Sequence, residues 1–168
     1  MSKIKIVLSV GLFYLLCNTN CMAQFKTIPE EEVPVRVQTF FYAKFNNTKF
    51  PVWSSLENIG EARYKVEFEQ GDAKKEAIFN AAGKVQEEVS IRKKAHVDQS
   101  LQAKSLEKYP DGKVLKETKV TKFNFQGMRE PQSYYEVAVK VGKETVTVYF
   151  DGDKQPLAKD NVFNLAVN

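Results

Sequence analysis

Residues that could carry acid–base chemistry are few in this sequence and stand apart from one another. His96 is the only histidine among the 168 residues. A histidine acts as a general base when a hydroxyl, thiol or carboxylate is held beside it, and no recognisable spacing fixes such a group near His96. The pattern predicts a solvated histidine at the start of a helix, and it favours a protein that is not an enzyme.

Pairs of acidic residues offer a second kind of chemistry, metal binding or catalysis by two carboxylates. The stretch YFDGDKQ places Asp151 and Asp153 on either side of a glycine, superficially like a calcium loop. An EF-hand needs further oxygen ligands and a distal glutamate that are not in register here, so we interpret the stretch as a tight hairpin turn. The runs Glu30–Glu32 and Glu87–Glu88 are typical of solvated faces. We therefore expect no metal and no cofactor.

The amino-terminal residues indicate export. Lys3 and Lys5 precede an apolar run over residues 6–16, and a more polar stretch that ends in CMAQ follows. An apolar core of roughly 7–15 residues is typical of a secretory signal, and it is too short for the roughly 20 residues that span a bilayer. We predict a signal peptide over residues 1–23, Gln24 as the mature amino terminus, and no transmembrane segment in the mature chain.

Both cysteines, Cys17 and Cys21, lie within this segment. Lipid attachment at either one is the alternative interpretation, although Leu16 and Asn20 stand where bacterial lipoprotein signals carry a small residue. After cleavage the chain has no disulfide, no thiol nucleophile and no thiolate metal ligand, so its core must hold it together. The expected location is the periplasm or the external medium.

Charge and length limit the classes of partner. Without Lys3 and Lys5 the chain has 23 basic and 21 acidic residues, a formal charge of +2. The stretches IRKKAH and KETKVTK are short and mixed, whereas nucleic-acid-binding domains concentrate lysine and arginine on one surface. We expect no nucleic acid as a partner. The remaining 145 of 168 residues are enough for one ordinary domain or two small ones.

A helix followed by antiparallel strands is predicted after a polar leader over residues 24–32. Apolar residues follow at steps of four, three, one and four, which indicates a helix with one buried face and Pro34 in its first turn; they are Val33, Val37, Phe40, Phe41 and Phe45. Asn46 and Asn47 end this helix. An extended stretch, KFPVWSSLENI, follows. Its Trp53 is predicted in the core, where a lone tryptophan more often lies, with an exposed anchor as the alternative. Strands with a period of two and glycine-containing turns come next.

The sequence then repeats this pattern. YKVEFEQGDAKKEAIF (64–79) and YEVAVKVGKETVTVYF (135–150) both open Tyr-x-Val, carry a glycine five residues after that valine and end in phenylalanine, so each position has a counterpart at one constant offset. The preceding stretches AKFNNTKF (43–50) and EKYPDGKV (107–114) match at a smaller offset. The second copy therefore has seven extra residues, near FQGMREPQ, and a duplicated fold tolerates an insertion confined to a connection. Val66 and Val137 are predicted to occupy matching buried positions.

The predicted fold class is α+β, with two tandem modules that each combine a helix with an antiparallel sheet. The first module spans residues 33–92, the second spans 93–158, and a tail covers 159–168. One such module buries only a marginal core, so the two are expected to complete each other.

The order VP…F…F…VW…YKVEF…G…IFNAAGKV, followed by KYPDGKVLKE…YYEVAVKVGKETVTVYFDGDKQPL, resembles the exported PepSY-like proteins of Bacteroidetes. The resemblance covers about residues 33–157 and implies a fold similar to that of the β-lactamase inhibitory protein, two tandem helix-plus-sheet modules. The second helix departs from the family pattern, because His96 and Val97 stand where a proline is usual. The matching residues are mostly core and turn residues, which specify a fold better than an activity.

Period two also divides the strand residues between two faces. Tyr64 and Tyr135 fall on the inward face. Aromatic, charged and hydroxyl side chains are predicted on the outward face, where arginine and exposed aromatic residues are typical of protein interfaces; they are Arg63, Lys65, Ile78, Tyr134, Lys140, Thr145, Thr147 and Tyr149. Open antiparallel sheets also turn Thr, Tyr and Lys toward water, so a plain solvated surface is the alternative.

Two functions remain open at this point. The first is a non-enzymatic periplasmic binding module, an inhibitor of or a chaperone for an envelope protein, which acts through the outward sheet face. The resemblance supports it, because PepSY domains are thought to restrain peptidases and the β-lactamase inhibitory protein grips its enzyme with its sheet. The alternative is a structural or envelope-maintenance protein with no specific macromolecular target.

Overall fold

The structure is a computed structural model that describes residues 25–58, 61–123 and 130–162. The predicted signal peptide with both cysteines, most of the stretch FQGMREPQ and the end of the tail lie outside these ranges.

The described residues form nine strands in one antiparallel sheet, and each strand pairs with its neighbour along the chain. Two α-helices, α1 (Val35–Lys44) and α2 (Gln99–Lys108), each follow a short 3-10 turn, at Glu30–Glu32 and Lys94–His96. The strands are β1 Lys26–Ile28, β2 Lys49–Asn58, β3 Glu61–Gln70, β4 Ala73–Asn80, β5 Val85–Lys93, β6 Lys113–Lys122, β7 Gln132–Val141, β8 Glu144–Asp151 and β9 Pro156–Leu157. The predicted antiparallel sheet with two helices is confirmed.

Helix α1 buries one side against the sheet. Val37 and Phe41 are fully buried, and Phe45 is 3% exposed. Phe40 is predicted on the same side but is 46% exposed, because one step along a helix turns the side chain by about 100° away from the stripe centred on Phe41. Its ring lies instead against the β4–β5 turn, where a Cβ on Gly83 would come within 2.5 Å of Phe40 Cδ2.

Beneath α1 lies a core cluster rich in aromatic rings. It consists of Val33, Val37, Phe41, Phe45, Trp53, Val66, Phe68, Ala77 and Phe79. The Phe41 ring meets the rings of Trp53 and Phe68 edge to face, each with centroids 5.1 Å apart. This is a favourable geometry for aromatic pairs. Trp53 is 2% exposed, so its predicted place in the core is confirmed.

A second cluster beneath α2 carries fewer rings. It consists of Val97, Leu101, Val114, Tyr135, Val137, Val139, Val148 and Phe150. Val137 here and Val66 in the first cluster are both fully buried. Tyr135 is buried as well, whereas Tyr64 is only partly buried against the first cluster. The inward direction predicted for these four strand residues is therefore observed, with Tyr64 at the margin.

Asp98 occupies the position before α2 that Pro34 occupies before α1. Its Oδ1 accepts hydrogen bonds from the backbone N–H groups of Ser100 (3.0 Å) and Leu101 (3.3 Å). These are two of the N–H groups that the first turn of a helix leaves without partners. Pro34 offers no side-chain bond of this kind. A side-chain cap thus stands in for the proline that the second helix lacks.

The solvated face predicted at Glu87–Glu88 is wrong. Alternation along β5 sends the two carboxylates to opposite sides of the sheet, and each meets lysine on a neighbouring element. Glu88 lies 3.3 Å from Lys75 Nζ and 3.5 Å from Lys44 Nζ, and Glu87 lies 3.9 Å from Lys122 Nζ. The Glu88 and Glu87 side chains are only 20% and 31% exposed.

A buried carboxylate in β6 was not expected from the sequence. Glu117 is 2% exposed on the helix side of the sheet. Its Oε2 accepts the backbone N–H of Asp98 at 2.8 Å, and its Oε1 lies 3.8 Å from Arg92 Nη1. A buried charge requires such partners, so Glu117 links β5 and β6 to the start of α2.

Candidate partner-binding face

All eight residues predicted for the partner surface lie on the side of the sheet opposite α1 and α2, called the outer face below. Lys65 pairs with Ile78 across β3 and β4, and Thr147 and Thr145 pair with residues of β7. Val148 is 6% exposed and packs in the second core cluster, so its neighbour Tyr149 points the other way. The rival register, with Tyr149 inside and Val148 in water, is excluded.

The eight residues nevertheless form two groups rather than one. Arg63, Lys65 and Ile78 lie on β3 and β4, and the other five lie on β7 and β8. Two strands of the sheet, β5 and β6, separate the groups. The outer residues of these strands were not assigned from the sequence. Period two would have assigned those of VQEEVSIRK, but not all of those of KVLKETKVTK, because a register shift between Val114 and Lys116 puts Lys113 and Lys116 on the same face.

A row of paired residues across β5 and β6 connects the two groups. Glu76 pairs with Val89, Val89 pairs with Val120, and Val120 pairs with Tyr134. Val120 is 6% exposed, and Ala138 on the same face is 8% exposed. In the middle of the outer face, small side chains therefore pack closely together, and longer polar and aromatic side chains lie beside them.

In the first group, Lys65 is held by ion pairs with two glutamates. Lys65 Nζ donates to Glu67 Oε1 at 2.8 Å and lies 3.7 Å from Glu76 Oε2. The hydrogen bond from Lys65 lowers the pKa of the Glu67 carboxyl. Burial opposes charge on Lys65, yet the bond to Glu67 and the charge of Glu76 raise the pKa of its ammonium. These contacts keep Lys65 protonated and limit its freedom before any partner arrives.

The second group contains two tyrosines on neighbouring strands. Tyr149 pairs directly with Glu136, and Tyr134 is the next residue on that face of β7. Burial raises the pKa of Tyr134 to about 12, helped by the charges of Glu136 and Glu87. Burial and Glu136 also raise the pKa of Tyr149. Both phenols therefore stay protonated at neutral pH, where they provide O–H donors and apolar rings for binding rather than a base.

The residues with potential for catalysis lie elsewhere. His96 is half exposed, and its Nδ1 lies 3.3 Å from Asp72 Oδ2 at the end of the sheet. Asp151 Oδ1 accepts the N–H groups of Asp153 (2.9 Å) and Gln155 (2.8 Å), which is the turn predicted for YFDGDKQ. In the part of the chain that the structure describes, no three His, Cys, Asp or Glu residues gather as a metal site. No helix there is long and apolar enough for a membrane span.

A cleft of about 450 Å³ opens at one end of the sheet, beside the β3–β4 turn. Its walls include Glu69, Lys74, Ile91, Lys93 and His96. Lys74 and Ile91 pair across β4 and β5, so the cleft adjoins the outer face. It is large enough to receive a side chain from another molecule.

No protein-family model and no curated protein matches the sequence. Solved structures from Bacteroides species do match its fold. A BLIP-like protein from Bacteroides fragilis superposes with a TM-score of 0.56 at 16% identity, over 78% of this chain and 85% of that one. A DUF2874 family protein from Bacteroides ovatus gives 0.55 at 16% identity, over 74% and 84%. A Bacteroides eggerthii protein described as a candidate periplasmic protein gives 0.54 at 15% identity, over 75% and 86%.

Identities this low show a shared fold and no shared activity. The likeness to the β-lactamase inhibitory protein that the sequence implies is confirmed at the level of fold, while membership of the PepSY-like family stays a prediction. The chain therefore has the BLIP-like fold of these Bacteroides proteins.

Proposed function

We propose that this protein is a non-enzymatic periplasmic binding module that holds an envelope protein against its outer face, as its inhibitor or its chaperone. The observation that carries the proposal is the pair Tyr134 and Tyr149, half buried on adjacent strands on either side of Glu136. Tyrosines held in this way have the apolar ring and the polar end that interface anchors use, and a paired sheet costs little ordering on binding.

The fold supports the same proposal. The Bacteroides fragilis neighbour is described as BLIP-like, so its name likens it to a protein inhibitor. The Bacteroides eggerthii neighbour is described as a candidate periplasmic protein. The predicted signal peptide over residues 1–23 agrees with that location. Amino-terminal sequencing and intact mass of the exported protein test it: a start at Gln24 is expected, and a start at Cys21 with added acyl mass would mean a lipoprotein.

The tandem modules over residues 33–92 and 93–158 belong to the proposal, because each would supply half of the outer face. The start of α2 lies as many residues after the start of α1 as the start of β6 lies after the start of β2. Strands β7 and β8 follow β3 and β4 at a larger offset, which is again the same for both pairs. The β5–β6 pairing then joins the two halves into one surface.

The turns after β4 and β8 support this duplication. Asn80 and Asp151 directly follow the matched phenylalanines of the two copies. The Asn80 N–H donates to the carbonyl oxygen of Lys84 at 3.0 Å, and the Asp151 N–H donates to that of Gln155 at 2.9 Å. In return, the Gly83 N–H donates to the carbonyl oxygen of Asn80 at 2.9 Å, and the Lys154 N–H donates to that of Asp151 at 3.0 Å. Both Gly83 and Lys154 have positive φ, 79° and 61°. Lys154 is thus in a backbone conformation that glycine adopts in the first turn.

A capture experiment with a matched pair of tyrosine variants tests the proposal. Tagged mature protein is incubated with periplasmic extract, and one stoichiometric partner is expected by mass spectrometry. Tyr149→Ala should weaken capture at least tenfold, since an interface anchor contributes about 2 kcal/mol. The control is Tyr42→Ala, because Tyr42 is an exposed tyrosine of α1, on the other side of the sheet.

Both variants should stay folded, with the free energy of unfolding lowered by about 1 kcal/mol, because Tyr149 is only partly buried and Tyr42 loses one exposed hydrogen bond to Glu30. Absence of any partner for the wild type would favour the alternative, a structural or envelope-maintenance protein. Equal loss of capture in both variants would show that the outer face is not the binding surface.

A further inference from the structure

One end of the outer face carries five exposed lysines from four neighbouring strands, called the lysine end below. They are Lys74 on β4, Lys93 on β5, Lys113 and Lys116 on β6, and Lys140 on β7. No run of the sequence contains this cluster, because its members lie between residues 74 and 140. Only the strand register brings them together.

Like charges face each other directly in the lysine end. Lys93 pairs with Lys116 across β5 and β6, and Lys113 pairs with Lys140 across β6 and β7. Directly opposed side chains on one face of a sheet lie about 5 Å apart at Cβ, and like charges there are destabilising. The fold therefore retains two repulsive pairs on adjacent strands.

No ion pair among the described residues neutralises these charges. Within the described ranges, no carboxylate oxygen lies within 4 Å of the five ammonium groups, although Glu69 pairs with Lys74 across β3 and β4. Toward the middle of the same face, by contrast, Lys65 and Lys122 are ion-paired with glutamates. The outer face is thus divided into a charge-balanced middle and a basic end.

Glu136 on β7 is the acidic residue that faces the lysine end from that strand. On the outer face of β7 it lies next to Ala138, and Ala138 pairs with Lys116. Burial raises the pKa of Glu136, and the charge of Lys116 counters this only in part. Glu136 near Lys116, and Glu67 and Glu69 near Lys74, are three carboxylates against five lysines, so the lysine end keeps a net positive charge. An anionic group from another molecule would relieve the repulsion in both opposed pairs.

The adjoining cleft indicates the kind of anion. Lys74, Lys93 and Ile91 line it together with Glu69, the residue opposite Lys74. Asp72 lines it as well, and its carboxylate lies 3.3 Å from His96 Nδ1 and 3.9 Å from Arg92 Nε. A polypeptide can place a side chain in such a cleft, whereas a bilayer surface cannot. Membrane-surface sites also combine basic with large apolar side chains. The exposed large apolar residues are Val35, Phe40 and Tyr42 on α1, on the other side of the sheet, and Phe50 and Val52 on β2, two strands away from Lys74.

We propose that the lysine end binds an acidic stretch of a partner protein. The inference rests on the proposed function, because it names the chemistry of the partner that the outer face holds.

Direct binding of a labelled decaglutamate peptide to the mature protein tests this inference. Wild type should bind the peptide, more weakly as salt increases, because the contacts are between exposed charges. Lys93→Gln/Lys116→Gln should weaken binding at least fivefold and should leave the melting temperature unchanged or higher, since it removes one repulsive pair. The control Lys26→Gln/Lys84→Gln changes the net charge equally at exposed lysines outside the lysine end and should stay within twofold of wild type.

Two outcomes would overturn the inference: no peptide binding by wild type, or equal weakening in both double variants. If wild type binds phosphatidylglycerol vesicles but not the peptide, the lysine end is assigned to a membrane. Capture from extract separates the two proposals. Loss of the partner in Tyr149→Ala but not in Lys93→Gln/Lys116→Gln leaves the proposed function standing and rejects the acidic stretch. If wild type binds the peptide but captures no partner, the proposed function is rejected and the preference of the lysine end for an acidic stretch stands.

Discussion

Lys154 Nζ donates a 2.6 Å hydrogen bond to Asp98 Oδ2, which ties the turn after β8 to the start of α2. The other carboxylate oxygen of Asp98 caps that helix, and the backbone N–H of Asp98 reaches buried Glu117. Helix α2 buries only Leu101 and Ser105 of its own residues. Polar contacts at its first turn therefore position a helix whose apolar side is thin.

Loss of the cap should be measurable. Asp98→Ala is expected to lower the free energy of unfolding by about 1–2 kcal/mol, the usual cost of a lost helix cap. Lys154→Ala should cost less, because the N–H groups of Ser100 and Leu101 keep their acceptor. Urea denaturation monitored by circular dichroism measures both. An equal loss in the two variants would mean that the ion pair, not the cap, is the main contact.

The same carboxylate makes stability depend on pH in a defined direction. The hydrogen bond from Lys154 lowers the pKa of Asp98 below its usual 3.8, with help from two backbone N–H groups and against the effect of burial. A folded-state pKa below the unfolded value stabilises the protein above about pH 3.8, and this stabilisation is lost as the pH falls through the folded pKa.

Asp98→Asn removes the titration but keeps a capping side chain. The stability difference between wild type and this variant should therefore shrink between pH 6 and pH 3, as measured by urea denaturation at each pH. A constant difference for Asp98→Asn would contradict the assignment.

Val66 and Val137 test whether the two modules are equivalent. Both are fully buried, each in its own cluster. An aspartate at either position buries an unpaired charge, which should cost several kcal/mol, so both variants should fold poorly and to a similar degree. Thr147→Asp, on the outer face of β8, is the control. Unchanged thermal melting of Val137→Asp would refute the equivalence.

Gly83 and Gly71 separate backbone strain from a steric clash. Both have positive φ, 79° and 61°, so an alanine at either position is strained by roughly 1 kcal/mol. An added Cβ meets nothing within 4 Å at Gly71 but lies 2.5 Å from Phe40 Cδ2 at Gly83. Gly83→Ala should therefore destabilise more than Gly71→Ala.

The double variant Gly83→Ala/Phe40→Ala isolates the clash by a mutant cycle. Part of the extra destabilisation should disappear when the Phe40 ring is absent. If the two single glycine variants unfold at the same urea concentration, Phe40 does not pack on this turn in solution.

Local periodicity was sufficient to assign the faces of the regular strand segments. Alternation sends Val66 and Val137 inward and Tyr149 outward, because successive side chains of a strand point to opposite sides whatever the strand pairs with. Helix phase was less certain. Phe40 lies next to Phe41 in the apolar pattern, yet only packing against the sheet decides which of two adjacent residues points to the core.

Contacts between distant strands could not be read from spacing. Lys93 and Lys116 are opposed only because β5 pairs with β6 in one register, and the same pairing places Glu117 under the start of α2. The sequence by itself determined which residues share a side of each regular strand segment, since alternation depends on backbone geometry alone. It did not reveal the register shift between Val114 and Lys116, which puts Lys113 and Lys116 of β6 on one side. The tertiary structure decided which strands are neighbours, and hence where charges accumulate, because electrostatic interaction depends on distance in space rather than on separation along the chain.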